Sequence, residues 1–201
     1  KERSIKGVFF VPTSILKKNK ILNVHKVHYI LSKNNPKIIY KKAMSLVNKW
    51  DLNFGTKVNK EAYIYSSHEE YELRIKKLFN YELDFEVSNK LSDELLKIFN
   101  LSHEFSSKLY INENQMSEMS TNGQIFGSHT KEHKILSTLD FKTQLKEIED
   151  SFSDLSNFIY DGFKTISYPF GYKFTYNSDT IKILNDQDVD FGFIFDNKKN
   201  Q

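Results

Sequence analysis

From residue 124 onward, short segments typical of strands alternate with segments of helical periodicity. Three of these segments predict strands, at 124–127, 165–168 and 191–195. Asp140 is the predicted N-cap of a helix that ends at Gly162. The apolar residues of this helix recur every three or four positions: Phe141, Leu145, Ile148, Phe152, Leu155 and Phe158. Such alternation is typical of parallel strands joined by right-handed crossovers, and it predicts an α/β protein.

The first half of the chain adds one strand and a long helical region. Residues Gly7 to Val11 form an apolar run closed by Pro12, the pattern of a further buried parallel strand. The region 23–108 shows mainly helical patterns, including a segment at 92–99 with Ser92 as its predicted N-cap. The remaining predicted helices lie at 24–31, 70–79, 114–120 and 179–184. We therefore predict one α/β domain over 1–201 that contains a mainly helical insertion at 23–108.

Composition excludes several classes of site and partner. The chain has no cysteine, so any metal ligands must be His, Asp or Glu side chains. Its net charge of +3 comes from scattered lysines, and the only arginines are Arg3 and Arg74. Nucleic-acid readers concentrate Lys and Arg on one face, so we expect no nucleic-acid partner. The apolar runs are too short for a transmembrane segment. Neither localisation nor oligomeric state follows from these features.

Two histidines follow the predicted strand at 124–127. His129 and His133 are four residues apart, and a helical turn starting near Ser128 would direct both imidazoles to one side. Enzymes with parallel sheets place catalytic groups at the ends of strands, so the pair predicts a catalytic metal site. An ordinary pair of surface or half-buried histidines fits the spacing equally well.

A second metal interpretation comes from the protease pattern H-x-x-E-H, which residues 129–133 also match. That pattern requires both histidines inside a helix and a further acidic ligand downstream, usually Glu. No Glu follows Glu149, so we do not favour a protease. Glu147 and Glu149 themselves are predicted to lie on a solvated helix face.

Longer stretches resemble the NodB-type polysaccharide deacetylases, a carbohydrate esterase family. Residues 109–139, with Gly127-Ser128-His129-Thr130 and His133, are similar to the metal-binding motif of that family. Ser167-Tyr168-Pro169-Phe170-Gly171 resembles the oxyanion motif of the family in its Tyr-Pro-aromatic-Gly form. Residues 3–13 are similar to the second barrel strand, and 24–31 to a stretch found in members with a helical insertion.

The resemblance implies a fold and an activity. The expected fold is a distorted (β/α) barrel of the NodB homology type, incomplete at its N-terminus and carrying the helical insertion. The expected enzyme is a metal-dependent hydrolase of carbon–nitrogen bonds other than peptide bonds, which removes N-acetyl or O-acetyl groups from a poly- or oligosaccharide. The alternative is a non-catalytic carbohydrate-binding or interaction domain with the same fold.

The resemblance also implies roles for individual residues. His129 and His133 match the two histidine ligands of a divalent metal, for which zinc is favoured. The backbone N–H of Phe170 matches the oxyanion donor, and Pro169 and Gly171 shape its turn. Behind these groups, Thr130 is expected to orient the histidine loop, with Tyr168 as a further supporting residue.

The family's Asp-Asp motif would supply the third ligand and the general base, and we expect it upstream of Lys1. The late Leu-x-His motif, which would supply a general acid, is absent. We therefore expect a fragment that by itself binds metal weakly and lacks full activity.

Overall fold

The computed structural model describes residues 5–17, 20–52, 69–102 and 106–195, so Arg3 lies outside the described residues. Contacts divide the chain into two compact units. Residues 21–108 form one, called here the helical unit. Residues 1–20 and 109–201 form the other, called the sheet unit. In sequence, the helical unit interrupts the sheet unit.

The helical unit is built from amphipathic helices around an aliphatic core. These helices are α1 (Asn23–Lys33), α2 (Pro36–Lys49), α3 (Glu70–Lys77) and α4 (Phe85–Ile98), with a π-helical turn at Leu78–Glu82. A short helix, α5 (Ser106–Leu109), follows where the sequence passes from the helical unit to the sheet unit. Asn35 caps α2 by accepting a hydrogen bond from the Lys37 N–H, and Pro36 occupies the first helical position. The buried core includes Val27, Ile30, Ile39, Ala43, Ile75, Leu91 and Leu95.

One predicted helix start in this unit is wrong. Ser92 is not an N-cap, because α4 begins seven residues earlier, at Phe85. Ser92 is fully buried inside the helix, where its hydroxyl donates to the Asn89 carbonyl at 2.8 Å. A serine can form this bond to a preceding carbonyl within a helix, so its presence does not require a helix end.

The sheet unit contains four parallel strands in the order β1-β2-β3-β4. They are β1 (Val8–Val11), β2 (Ile125–Ser128), β3 (Thr165–Ser167) and β4 (Phe191–Phe193). The α/β class and all four predicted strand positions are confirmed. The prediction that the first strand is buried is wrong for half of it, because Val8 and Phe9 are 41% and 42% exposed and only Val11 is fully buried. No closed barrel is seen among the described strands.

Three helices of the sheet unit connect these strands: α6 (Glu113–Thr121), α7 (Phe141–Asp154) and α8 (Ser178–Asp186). The predicted cap of α7 is confirmed, since the Asp140 carboxylate accepts from the Thr143 N–H at 2.7 Å. The predicted end at Gly162 is wrong. The α-helix ends at Asp154 with Leu155 as its C-cap, and two 3₁₀ turns follow, the second of which contains Asp161 in a left-handed conformation. Leu155 and Phe158 are buried, whereas Phe141 is exposed.

One face of the sheet packs on these helices. Val11, Phe126 and Ile166 are each at most 4% exposed, and they contact two apolar clusters. On the other face, the ring centroids of Phe10 in β1 and Phe193 in β4 lie 5.2 Å apart. Because β1 and β4 are the outer strands of the described sheet, this contact indicates that the sheet curves toward that face. Within the described residues, no helix has the length and apolar character needed to cross a bilayer.

Candidate active site

The candidate site lies where β2 and β3 end. His129 follows β2, and Pro169, Phe170 and Gly171 come shortly after β3. Since β2 and β3 are parallel neighbours, their carboxyl ends lie at the same edge of the sheet. The His129 and His133 ring centroids are 4.7 Å apart, and the Phe170 ring lies 4.9 Å from that of His133. The structure thus brings the two sequence motifs together.

His129 is held in one tautomer. Its Nδ1 lies 2.6 Å from the carbonyl oxygen of Ser167. A carbonyl oxygen only accepts hydrogen bonds, so Nδ1 carries the proton and Nε2 keeps its lone pair. Burial lowers the pKa of His129 from its usual value, although the bond to Ser167 acts in the opposite direction. His129 is therefore a neutral imidazole at pH 7, the form that binds metal ions.

The backbone of the histidine loop, residues 129–134, is not helical. Thr130 and His133 adopt left-handed conformations, with φ of 62° and 60°. For residues other than glycine this conformation costs about 1–2 kcal/mol each. Local bonds hold it: the Thr130 N–H donates to the Ser128 hydroxyl, and the His133 N–H donates to the Thr130 hydroxyl. The expected helical turn is absent, and with it the geometry that the protease pattern requires.

The turn after β3 is also left-handed. Phe170 has φ of 62° and Gly171 has φ of 69°. The carbonyl of Gly171 accepts from the Phe195 N–H at 2.8 Å, and a Cβ at Gly171 would lie 2.7 Å from that nitrogen. The turn therefore requires glycine at this position. The Phe170 side chain is half-buried, with its ring against that of His133.

Tyr168 is a core residue that directly precedes this turn. It is 5% exposed, and its ring stacks on that of Tyr176 with centroids 4.4 Å apart. Burial raises the pKa of Tyr168 to about 12, so its hydroxyl is protonated at neutral pH. Its backbone N–H donates to the Phe193 carbonyl at 3.1 Å, which ties the segment before the turn to β4.

Charged side chains surround the histidine loop. Burial lowers the pKa of Lys131, but its bonds to Asp154 and Asp150 outweigh this effect, so the pKa is raised overall. Burial raises the pKa of Glu132, but bonds from Lys20 and Lys134 outweigh it, so that pKa is lowered. Both residues are thus charged at neutral pH, and their charges are paired.

Glu147 was predicted to lie on a solvated helix face, and this prediction is wrong. Glu147 is 7% exposed, and its Oε2 accepts from the backbone N–H of Glu132 at 2.9 Å. Burial raises the pKa of its carboxyl group, helped by the charge of Glu132, and this outweighs the lowering by the Glu132 N–H and Lys134, so the pKa is raised overall. The neighbouring prediction for Glu149 is confirmed, because its side chain is exposed.

The two histidines have the chemistry and spacing of metal ligands. When a tetrahedral ion binds two imidazoles at about 2.0–2.1 Å, their ring centroids stand roughly 5 Å apart. The observed separation of 4.7 Å fits this geometry. A metal-bound histidine commonly donates its other N–H to a carbonyl, as His129 does to Ser167. Among the described residues, no group of three or more His, Asp or Glu side chains is positioned to hold an ion.

Comparison with known proteins agrees with the motifs. Residues 94–192 match the family model described as polysaccharide deacetylase, a stretch that includes both histidines and the Phe170 turn. Neither the curated proteins nor the solved structures contain a significant match. The family predicted from the sequence motifs is therefore confirmed: over residues 94–192, this chain matches the NodB-type polysaccharide deacetylases.

Proposed function

We propose that this protein is a metal-dependent carbohydrate deacetylase that hydrolyses N-acetyl or O-acetyl groups of a poly- or oligosaccharide. The family match supports carbohydrate deacetylation at the family level. Metal dependence is supported by one observation above all. A neutral His129, anchored through Nδ1, lies beside His133 at the ends of parallel strands and next to the Phe170 turn.

In this proposal, His129 and His133 hold a divalent cation, with zinc favoured because its ligands include imidazole. The third ligand and the general base are carboxylates outside the described residues, in the Asp-Asp motif that the family resemblance implies. When bound, the cation supplies a Lewis acid that polarises the acetyl carbonyl and lowers the pKa of water.

The residues of the chain itself have three roles. The Ser167 carbonyl accepts the proton of His129 Nδ1 in a hydrogen bond, which leaves the lone pair of Nε2 available to the ion. The backbone N–H of Phe170 donates to the oxyanion that develops on the acetyl carbonyl, and a fixed backbone donor needs no reorganisation during the reaction. Gly171 and Pro169 keep that N–H in place, and the Phe170 ring excludes water from one side of His133.

The test is acetate release by the protein expressed from its complete gene. We expect N-acetylated oligosaccharides to yield acetate and free amines in equal amounts. Replacing both His129 and His133 with alanine should abolish this release, because no imidazole ligand remains. Binding of the oligosaccharide without acetate release would instead identify a non-catalytic carbohydrate-binding domain, and cleavage of peptide bonds would identify a protease. Either result contradicts the proposal.

A further inference from the structure

One side of α7 faces the histidine loop through polar residues that recur every three or four positions. Glu147, Asp150, Ser151 and Asp154 occupy positions i, i+3, i+4 and i+7, so they share one helix face. Each of them contacts residue 128 or a residue of the loop itself. We call these four residues the loop-contact face. On a solvated helix such residues would have no fixed partners, whereas here they all contact one short segment.

The contacts span nearly the whole loop. Ser151 Oγ lies 2.6 Å from Ser128 Oγ, just before the loop begins. Lys131 Nζ lies 3.0 Å from Asp154 Oδ2 and 3.4 Å from Asp150 Oδ2. At the far end, Lys134 Nζ lies 3.5 Å from Glu147 Oε1. The loop is thus attached to α7 before His129, between the two histidines and after His133.

The contact of Glu147 differs from the others because it reaches the backbone. Its Oε2 accepts the N–H of Glu132, the residue before His133. Burying a carboxylate costs free energy unless it is hydrogen-bonded or paired with a charge. For the buried carboxyl group of Glu147, the Glu132 N–H and the Lys134 ammonium offset this cost. Removing the acceptor would leave the Glu132 N–H without its α7 partner, next to a histidine held in a strained conformation.

The other side of the loop is attached to the segment after β1. The N–H groups of Thr13 and Ser14 donate to the carbonyls of Thr130 and Lys131 at 3.1 and 2.9 Å. The Thr13 hydroxyl also donates to Asp154 Oδ2 at 2.7 Å. Asp154 therefore links α7, the loop and the β1 segment. The left-handed residues Thr130 and His133 lie between these two sets of contacts, which offset their strain.

We propose that the loop-contact face of α7 positions the two histidines for metal binding, with Glu147 as the principal positioning residue. The metal in this inference rests on the proposed function. The attachment of the loop to α7 is independent of that function. Glu147 touches neither the ion site nor the substrate. It acts through the Glu132 backbone, which fixes where His133 directs its ring.

The test compares two replacements of similar size, Glu147→Gln and Glu147→Met. Glutamine keeps an oxygen acceptor for the Glu132 N–H, and methionine does not. Glu149→Met is the matched control, because Glu149 is exposed on the same helix and its carboxylate accepts only from Gln187 among the contacts described. The hydrogen-exchange rate of the Glu132 amide, measured without metal, shows how firmly the loop is held. Titration with Co²⁺, followed by visible absorption, gives the affinity of the metal site.

We expect Glu147→Met to accelerate exchange of the Glu132 amide at least about 10-fold while amides of α8 stay unchanged. The same variant should weaken Co²⁺ binding by about 10- to 100-fold, the range for residues that orient metal ligands. Glu147→Gln should stay within about 3-fold of the parent in both measurements, and Glu149→Met should match the parent.

Three results would overturn the inference. Exchange in Glu147→Met equal to that in Glu149→Met would show that the loop does not depend on Glu147. Equal acceleration at all amides would reveal a general loss of stability. Faster exchange at Glu132 with unchanged Co²⁺ affinity would show that the contact does not position the histidines. If the parent protein binds no Co²⁺, the metal part of the proposed function fails, and the Glu132 exchange rate still decides whether Glu147 holds the loop.

Discussion

Replacing His129 with alanine is expected to lower the affinity of the protein for zinc by at least about 100-fold. Loss of a residue that only orients a ligand costs 10- to 100-fold, and His129 is proposed to be a ligand itself. The affinity is measured by competition with a chromophoric chelator, using protein expressed from the complete gene. His133→Ala should have an effect of similar size, because each histidine supplies one nitrogen.

The matched control is His28→Ala, which makes the same substitution at an exposed position on α1 of the helical unit. It should leave zinc affinity unchanged. Thermal unfolding without metal is recorded for every variant, to show that the sheet unit is folded. Zinc affinity in folded His129→Ala equal to that of the parent would contradict the assignment of this imidazole as a ligand.

Gly171→Ala is expected to destabilise the protein by about 2–4 kcal/mol and to reduce acetate release. Part of this loss is the cost of alanine in a left-handed conformation, about 1–2 kcal/mol. The rest comes from overlap, because the new Cβ would lie 2.7 Å from both the nitrogen and the Cβ of Phe195. Relief of the overlap must shift the turn, and with it the Phe170 N–H. The midpoint and slope of urea unfolding give the free-energy change.

Gly162→Ala separates these two contributions. Gly162 has φ of 72°, close to the 69° of Gly171, but a Cβ there meets nothing within 4 Å. It should therefore cost only the conformational part, about 1–2 kcal/mol, and leave acetate release unchanged. If Gly171→Ala were no more destabilising than Gly162→Ala, the close approach of Phe195 would not constrain the turn.

The strands were predictable because each is a short segment with apolar or β-branched residues, bounded by glycine, proline or polar residues. The run before Pro12 and the run before Pro169 are the clearest examples, since proline cannot continue the hydrogen bonding of a strand. The order of the strands follows from their alternation with helices. The helix ends were less predictable: Leu155 and Phe158 keep a helical spacing, yet the chain there follows 3₁₀ turns.

The candidate site could be located from the sequence, but its conformation could not. Spacing placed His129 and His133 together, whereas nothing in Thr130 or His133 indicates a left-handed backbone, which threonine rarely adopts. Glu147 was missed for a related reason. A polar stripe on a helix has the same sequence pattern whether it faces water or a loop of charged residues, and only the tertiary structure distinguishes the two.

The most direct test of a histidine-held metal is the reversibility of acetate release. Protein from the complete gene is stripped with a chelator, dialysed, assayed on N-acetylated oligosaccharide, and assayed again after one equivalent of zinc is added. We predict that release stops on stripping and returns to the parental rate with zinc, while His133→Ala shows no recovery. Undiminished acetate release from the metal-free protein would contradict the account.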